Sequence, residues 1–81
     1  MGPAKTSLEE SIDHAIDNLE TLADQIRVKL HLANMDANVL WNTKMEPRLF
    51  EARIHASEAK AASKLAIDDA VKAFEAFAHS L

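Results

Sequence analysis

The chain has 81 residues, a length that allows one domain at most. A chain this short buries a small core, so its folded state is expected to be only marginally stable. It contains no cysteine, so disulfide bonds and thiolate metal sites are excluded. Thirteen acidic residues against nine basic ones give a net charge of −4, and no dense basic stripe is present, which argues against nucleic acid as a partner. No apolar run has the length of a membrane span or a signal peptide. We therefore expect a soluble, cytoplasmic protein for which a membrane is not a partner.

One Gly and two Pro interrupt the sequence, and this composition favours helix almost throughout. Residues 1–5 are expected to be disordered, and residues 6–81 to form a single helical domain. The first helix is predicted over about 7–42, because apolar residues recur there at spacings of three and four. Trp41 is expected to close the core, with its indole N–H bonded to a loop carbonyl. The full core face contains Leu8, Ile12, Ala15, Ile16, Leu19, Leu22, Ala23, Ile26, Leu30, Ala33, Ala37, Leu40 and Trp41.

Pro47 suits the first position of a new helix, where its missing N–H costs nothing. The chain is therefore predicted to turn at about 43–46 and to continue as helix over about 47–80. The expected fold is an all-α antiparallel two-helix hairpin. Two alternatives stay open: a break at residues 34–38 that gives a three-helix bundle, and a continuous rod kinked at Pro47. The core face of the second helix contains Leu49, Ala52, Ala56, Ala59, Ser63, Ala66, Ile67, Ala70, Ala73, Phe74, Phe77 and Leu81.

A second set of apolar residues lies away from these core faces, in the half of the hairpin that is nearer the turn. An isolated hairpin would expose this set, and a contiguous exposed apolar patch is usually buried against another chain. We therefore predict a homodimer that completes a four-helix bundle, with another helical protein as an alternative partner. In the three-helix alternative the same residues would be buried within the chain. The predicted interface consists of Val28, Leu32, Met35, Val39, Phe50, Ile54 and Leu65.

No catalytic constellation is recognisable. One glycine cannot build a phosphate-binding loop, and no Ser or Thr has a convincing base and orienting group. Enzymatic activity and a cofactor are therefore not expected. His14 and His79, with Glu10, are the best metal candidates, because a hairpin would bring both histidines to its open end. Ordinary surface histidines explain them better, so no metal site is predicted.

The function expected from the sequence is that of a non-enzymatic protein–protein interaction module, such as an adaptor, a small chaperone or a regulator. One alternative is an amphipathic coat on a lipid or polymer surface, although the acidic first helix disfavours anionic membranes. The other alternative is a helical bundle that binds metal through carboxylates and histidines.

Overall fold

Helix accounts for nearly all of residues 7–81, the part of the chain that a computed structural model describes. The helices are α1 (Ser7–Leu30), α2 (Met35–Leu40), α3 (Glu46–Glu58) and α4 (Ala61–Ser80), and no strand occurs in these residues. One π-helical turn, Trp41–Met45, joins α2 to α3 without a break. Residues 35–58 therefore form one middle helix. The all-α prediction is confirmed, whereas the prediction of disorder in residues 1–5 lies outside the described residues.

The first helix ends at Leu30, and not near residue 42 as predicted, because two asparagines build a turn there. Asn34 caps the start of α2: its Oδ1 accepts a hydrogen bond from the N–H of Ala37 at 2.8 Å. Asn38 Nδ2 donates to the carbonyl oxygens of Leu30 and Asn34, at 3.2 and 3.0 Å. The first of these bonds gives a partner to a carbonyl at the end of α1. The alternative with a break at residues 34–38 is correct that the first helix is interrupted, but the break occupies residues 31–34, and residues 35–38 belong to α2.

The predicted turn at residues 43–46 is wrong, since the chain passes through these residues as helix. Inside a helix, the ring of Pro47 crowds the carbonyl four residues earlier, that of Thr43, and no N–H is available to bond to it. The π turn widens the helix just before this point, and the N–H of Glu46 bonds to the carbonyl of Trp41, five residues back. The wider turn lets the middle helix accommodate Pro47 instead of starting anew there.

A second turn interrupts the helix that was predicted over 47–80. Ala59 adopts the left-handed conformation, with φ 54° and ψ 43°, which costs a residue with a Cβ roughly 1–2 kcal/mol. Lys60 is extended, and its N–H donates to Ser63 Oγ at 3.3 Å in the first turn of α4. The chain therefore reverses twice, and three helices replace the predicted hairpin.

The three helices share one core, because α1, the middle helix and α4 each pack against the other two. Two reversals make α1 and α4 run in the same direction. Met45 joins this core although it was assigned to the predicted turn, while Leu40 and Leu81, expected in the core, are 45% and 39% exposed. The buried apolar residues are Ile12, Ala15, Leu19, Ala23, Ile26, Leu30, Trp41, Met45, Leu49, Ala52, Ile67, Ala70, Phe74 and Phe77.

Candidate interaction surface

All seven residues of the predicted interface lie outside the core. Their side chains are between 48% and 95% exposed, with Ile54 the least and Leu32 the most exposed. The chain thus folds into three helices, as the three-helix alternative expected, yet the third helix does not cover these residues. The expectation that a three-helix bundle would bury them is wrong, and the prediction that they lie away from the core is confirmed.

Four of the seven belong to the middle helix, where Thr43 and Pro47 connect them into one row. Every member of this row is exposed, and successive members are separated by steps of four, four, four, three and four residues. We call the row the outward stripe; it consists of Met35, Val39, Thr43, Pro47, Phe50 and Ile54.

The π turn keeps the outward stripe on one side of the middle helix. In an α-helix a step of four residues overshoots a full turn by about 40°, so three such steps would carry the row about 120° around the axis. The wider turn at Trp41–Met45 absorbs most of this drift. The inward row of the same helix follows the same steps and receives the same correction. It consists of Ala37, Trp41, Met45, Leu49, Ala52 and Ala56.

A polar cluster beside the outward stripe fixes the π turn in place. Oε1 of Glu46 accepts hydrogen bonds from Trp41 Nε1 at 2.8 Å, from Arg27 Nε at 3.1 Å and from Arg27 Nη2 at 2.8 Å. Trp41 and Glu46 are five residues apart, and the wide turn places them on the same side. The indole N–H therefore bonds to a carboxylate of its own helix, and the predicted bond to a loop carbonyl is wrong.

Stacking and charge tie this cluster to α1 and α4. The guanidinium of Arg27 lies 5.7 Å from the centroid of the Trp41 ring, within the range of a cation–π contact. Trp41 also contacts Phe74 in an edge-to-face arrangement, with ring centroids 5.3 Å apart. Hydrogen bonding to Glu46, together with the charge of that carboxylate, raises the pKa of Arg27 above its usual value. The cluster therefore connects all three helices at the level of the π turn.

The other three predicted interface residues do not belong to the outward stripe. Leu32 lies in the turn just before Met35, at the end of the stripe. Val28 lies on α1, opposite the buried Ile26, because two residues advance about 200° around a helix. Leu65 lies on α4 and is 67% exposed. Its neighbours two residues away on either side, Ser63 and Ile67, are buried, so Leu65 lies on the side of α4 that faces away from the core.

The structure does not bring the weak metal candidates together. His79 borders a cleft with Gln25 and Lys29, near the end of α1. His14 and Glu10 lie near the start of α1, and His14 is about 16 Å along the axis from Gln25. The separation follows from the second chain reversal, which makes α1 and α4 parallel. No group of three or more metal-binding side chains comes together within residues 7–81.

Sequence reasoning missed Thr43 and Pro47 as members of the exposed row, because both were assigned to a turn. The signal that indicates continuous helix is that both rows keep steps of four residues through this region, from 35 to 47 on one side and from 37 to 49 on the other. The bond between Arg27 and Glu46 joins residues 19 positions apart and has no signal in a single sequence.

The chain matches no protein-family model, no curated protein and no solved structure. Within residues 7–81, none of the helices is both long enough and apolar enough to span a membrane.

Proposed function

We propose that this chain is a non-enzymatic helical interaction module that acts as a homo-oligomer, with the outward stripe of its middle helix as the contact surface. The observation that carries the proposal is the row of exposed residues from Met35 to Ile54, in which four of six members are large and apolar. A helix that is apolar on two opposite sides is normally buried on both. Here the inward side is covered by α1 and α4.

The dimensions of the stripe suit a helix–helix contact. The middle helix has 24 residues and is about 36 Å long. Phe50, at 63% exposure, is the largest side chain in the row, and aromatic residues are enriched among the anchors of protein interfaces. A contact of the stripe with a second copy would also let one surface serve both subunits, as two-fold interfaces do.

Sedimentation velocity over a range of protein concentrations tests this proposal, with Ile54→Glu as the disrupting variant. A Glu at this position would place an unpaired charge in the contact of each copy, and we expect the dissociation constant to rise more than about 100-fold. Circular dichroism should show unchanged helix content, because Ile54 is not part of the core.

Leu65→Glu is the matched control, since Leu65 is also an exposed aliphatic residue on a helix but lies off the stripe. It should associate as the unchanged chain does. A monomeric mass of the unchanged chain at every concentration would contradict the proposal. So would equal loss of association in the two variants, because the contact would then not be specific to the middle helix.

A further inference from the structure

The flank of the outward stripe that faces α4 carries charges of both signs, separated along the helix. Arg48, Glu51 and His55 border a cleft against α4, and Lys44 precedes Arg48 by one step of four residues on the same flank. The first half of this flank is basic, with Lys44 and Arg48, and the second half is acidic, with Glu51 and Glu58. None of the ion pairs described for residues 7–81 includes Lys44, Arg48 or Glu51.

The opposite flank, which faces α1, has the reverse order of charge. Glu46 comes first and is bonded to Arg27, and Arg53 follows and pairs with Glu20. Both side chains keep a third or more of their surface exposed. Each flank of the stripe therefore changes sign near its middle.

We propose that the second copy binds antiparallel, stripe against stripe, so that a basic side chain of each flank meets an acidic side chain of the same flank in the partner subunit. A two-fold axis that relates antiparallel helices brings like flanks together with their directions reversed. Lys44 then lies opposite Glu51 of the partner subunit, and Glu46 lies near Arg53 of the partner subunit. This inference depends on the proposed function and adds the orientation and register of the contact.

The parallel arrangement has poorer electrostatics. A parallel arrangement places the flank that faces α1 against the flank that faces α4 of the partner subunit. In a parallel pair of helices, a residue on one flank pairs with the residue five positions further along on the facing flank of the partner. Glu46 would then face Glu51 of the partner subunit, which is a repulsive pair, and only Arg53 with Glu58 would be attractive. Antiparallel pairing brings opposite charges together on both flanks, which is the kind of complementarity that sets orientation at helical interfaces.

The charges also set the register. When Lys44 lies opposite Glu51, the central layers pair Thr43 with Ile54 of the partner subunit, and Pro47 with Phe50. Val39 is then level with Glu58 of the partner subunit and Met35 lies beyond the end of the partner's middle helix, so the contact centres on Phe50 and Ile54. The two-fold axis then passes between Arg48 and Leu49. Arg48 adds no attractive pair between the copies, since it lies level with its own copy, and it borders the cleft against α4 together with Glu51 and Asp69. Both Phe50 side chains lie next to this axis, at the centre of the contact.

Disulfide trapping tests this arrangement cleanly because the chain has no cysteine of its own. In the proposed register residue 43 lies opposite residue 54 of the partner subunit, whereas the two copies of residue 43 are about 16 Å apart along the axis. That separation is beyond the roughly 7 Å limit for the Cα atoms of a disulfide. We expect a mixture of Thr43→Cys and Ile54→Cys chains to form covalent dimers that join residue 43 to residue 54, and neither variant to do so alone.

Charge exchange gives an independent measurement of the same pairing. Lys44→Glu should raise the dissociation constant about tenfold, because two attractive pairs per dimer become repulsive. The double variant Lys44→Glu/Glu51→Lys should restore it. Lys72→Glu on α4 is the control, since Lys72 lies off both flanks, and it should leave association unchanged.

The outcomes separate this inference from the function on which it depends. Covalent dimers from either single-cysteine variant, or a dimer that no cysteine pair traps, would overturn the antiparallel register while association through the stripe stands. Failure of the double charge variant to recover would do the same. A chain that stays monomeric and forms no covalent dimer in any sample would instead overturn the proposed function itself.

Discussion

The inward and outward rows of the middle helix have the same spacing, but α1 and α4 cover the inward row and leave the outward row exposed. On the inward side Leu49 is fully buried, and Trp41 packs against Phe74. On the outward side Phe50 and Ile54 are 63% and 48% exposed, although Phe50 directly follows the buried Leu49. Helical periodicity therefore identifies a face that needs a partner, but it does not say whether the partner lies in the same chain.

Truncation of one residue in each row should show the largest difference. Leu49→Ala is expected to lower the free energy of unfolding by about 2–4 kcal/mol, since it leaves a cavity in the core. Ile54→Ala should lower it by less than about 1 kcal/mol, because its side chain has few neighbours in the single chain. Urea denaturation at a concentration where the chain is monomeric measures both values. Equal losses would mean that the outward row is covered from within the chain.

Removal of the polar cluster should have an intermediate effect, because it supports the turn that aligns both rows. Glu46→Ala leaves the indole N–H of Trp41 without its acceptor and leaves Arg27 with Asp24 as its one remaining described acceptor, and we expect a loss of about 1–2 kcal/mol. Tryptophan fluorescence should change as well, since Trp41 is the only tryptophan. Glu75→Ala on the exposed surface of α4 is the control. A loss that is no larger than in this control would mean that the cluster does not hold the π turn.

The smallest effect is expected at the turn between the middle helix and α4, which follows the last residue of both rows. Ala59→Gly should raise the free energy of unfolding by about 0.5–1 kcal/mol, because glycine adopts the left-handed conformation without a steric cost. Ala62→Gly, in the first turn of α4, should lower it by a similar amount. Thermal unfolding followed by circular dichroism measures the two shifts, which should have opposite signs. If both variants are destabilised, the strain assigned to Ala59 is absent.

Much of the architecture follows from residue patterns that a single sequence shows. The all-α fold and the core face of α1 from Ile12 to Leu30 follow from apolar spacing alone. The same spacing separates the exposed row from the core, which is why Phe50 and Ile54 were recognised as off the core face. Apolar periodicity depends only on helical geometry, so it assigns residues to a face correctly even where the predicted helix ends are wrong.

The helix ends could not be predicted in the same way. The left-handed residue at the second turn is Ala59 and not a glycine, so the sequence does not signal this turn. The helical spacing of core residues also continues through it, from Ala56 to Ser63. Pro47 is equally compatible with the first turn of a helix and with a helix widened just before it. The metal candidates His14 and His79 were paired only because the chain was given one reversal instead of two. Each of these errors comes from a turn that tertiary packing decides.

The π turn has a further consequence for how the chain tolerates change in length. It contains one residue more than an ordinary helical turn at the same place, and both rows depend on that extra residue. An in-frame loss of a single codon between 41 and 45 would rewind this segment as a plain helix and rotate residues 35–40 by about 100° relative to residues 46–58. This rotation would misalign the buried row and the exposed row together. Both the core and the outward stripe therefore require this segment to keep its length.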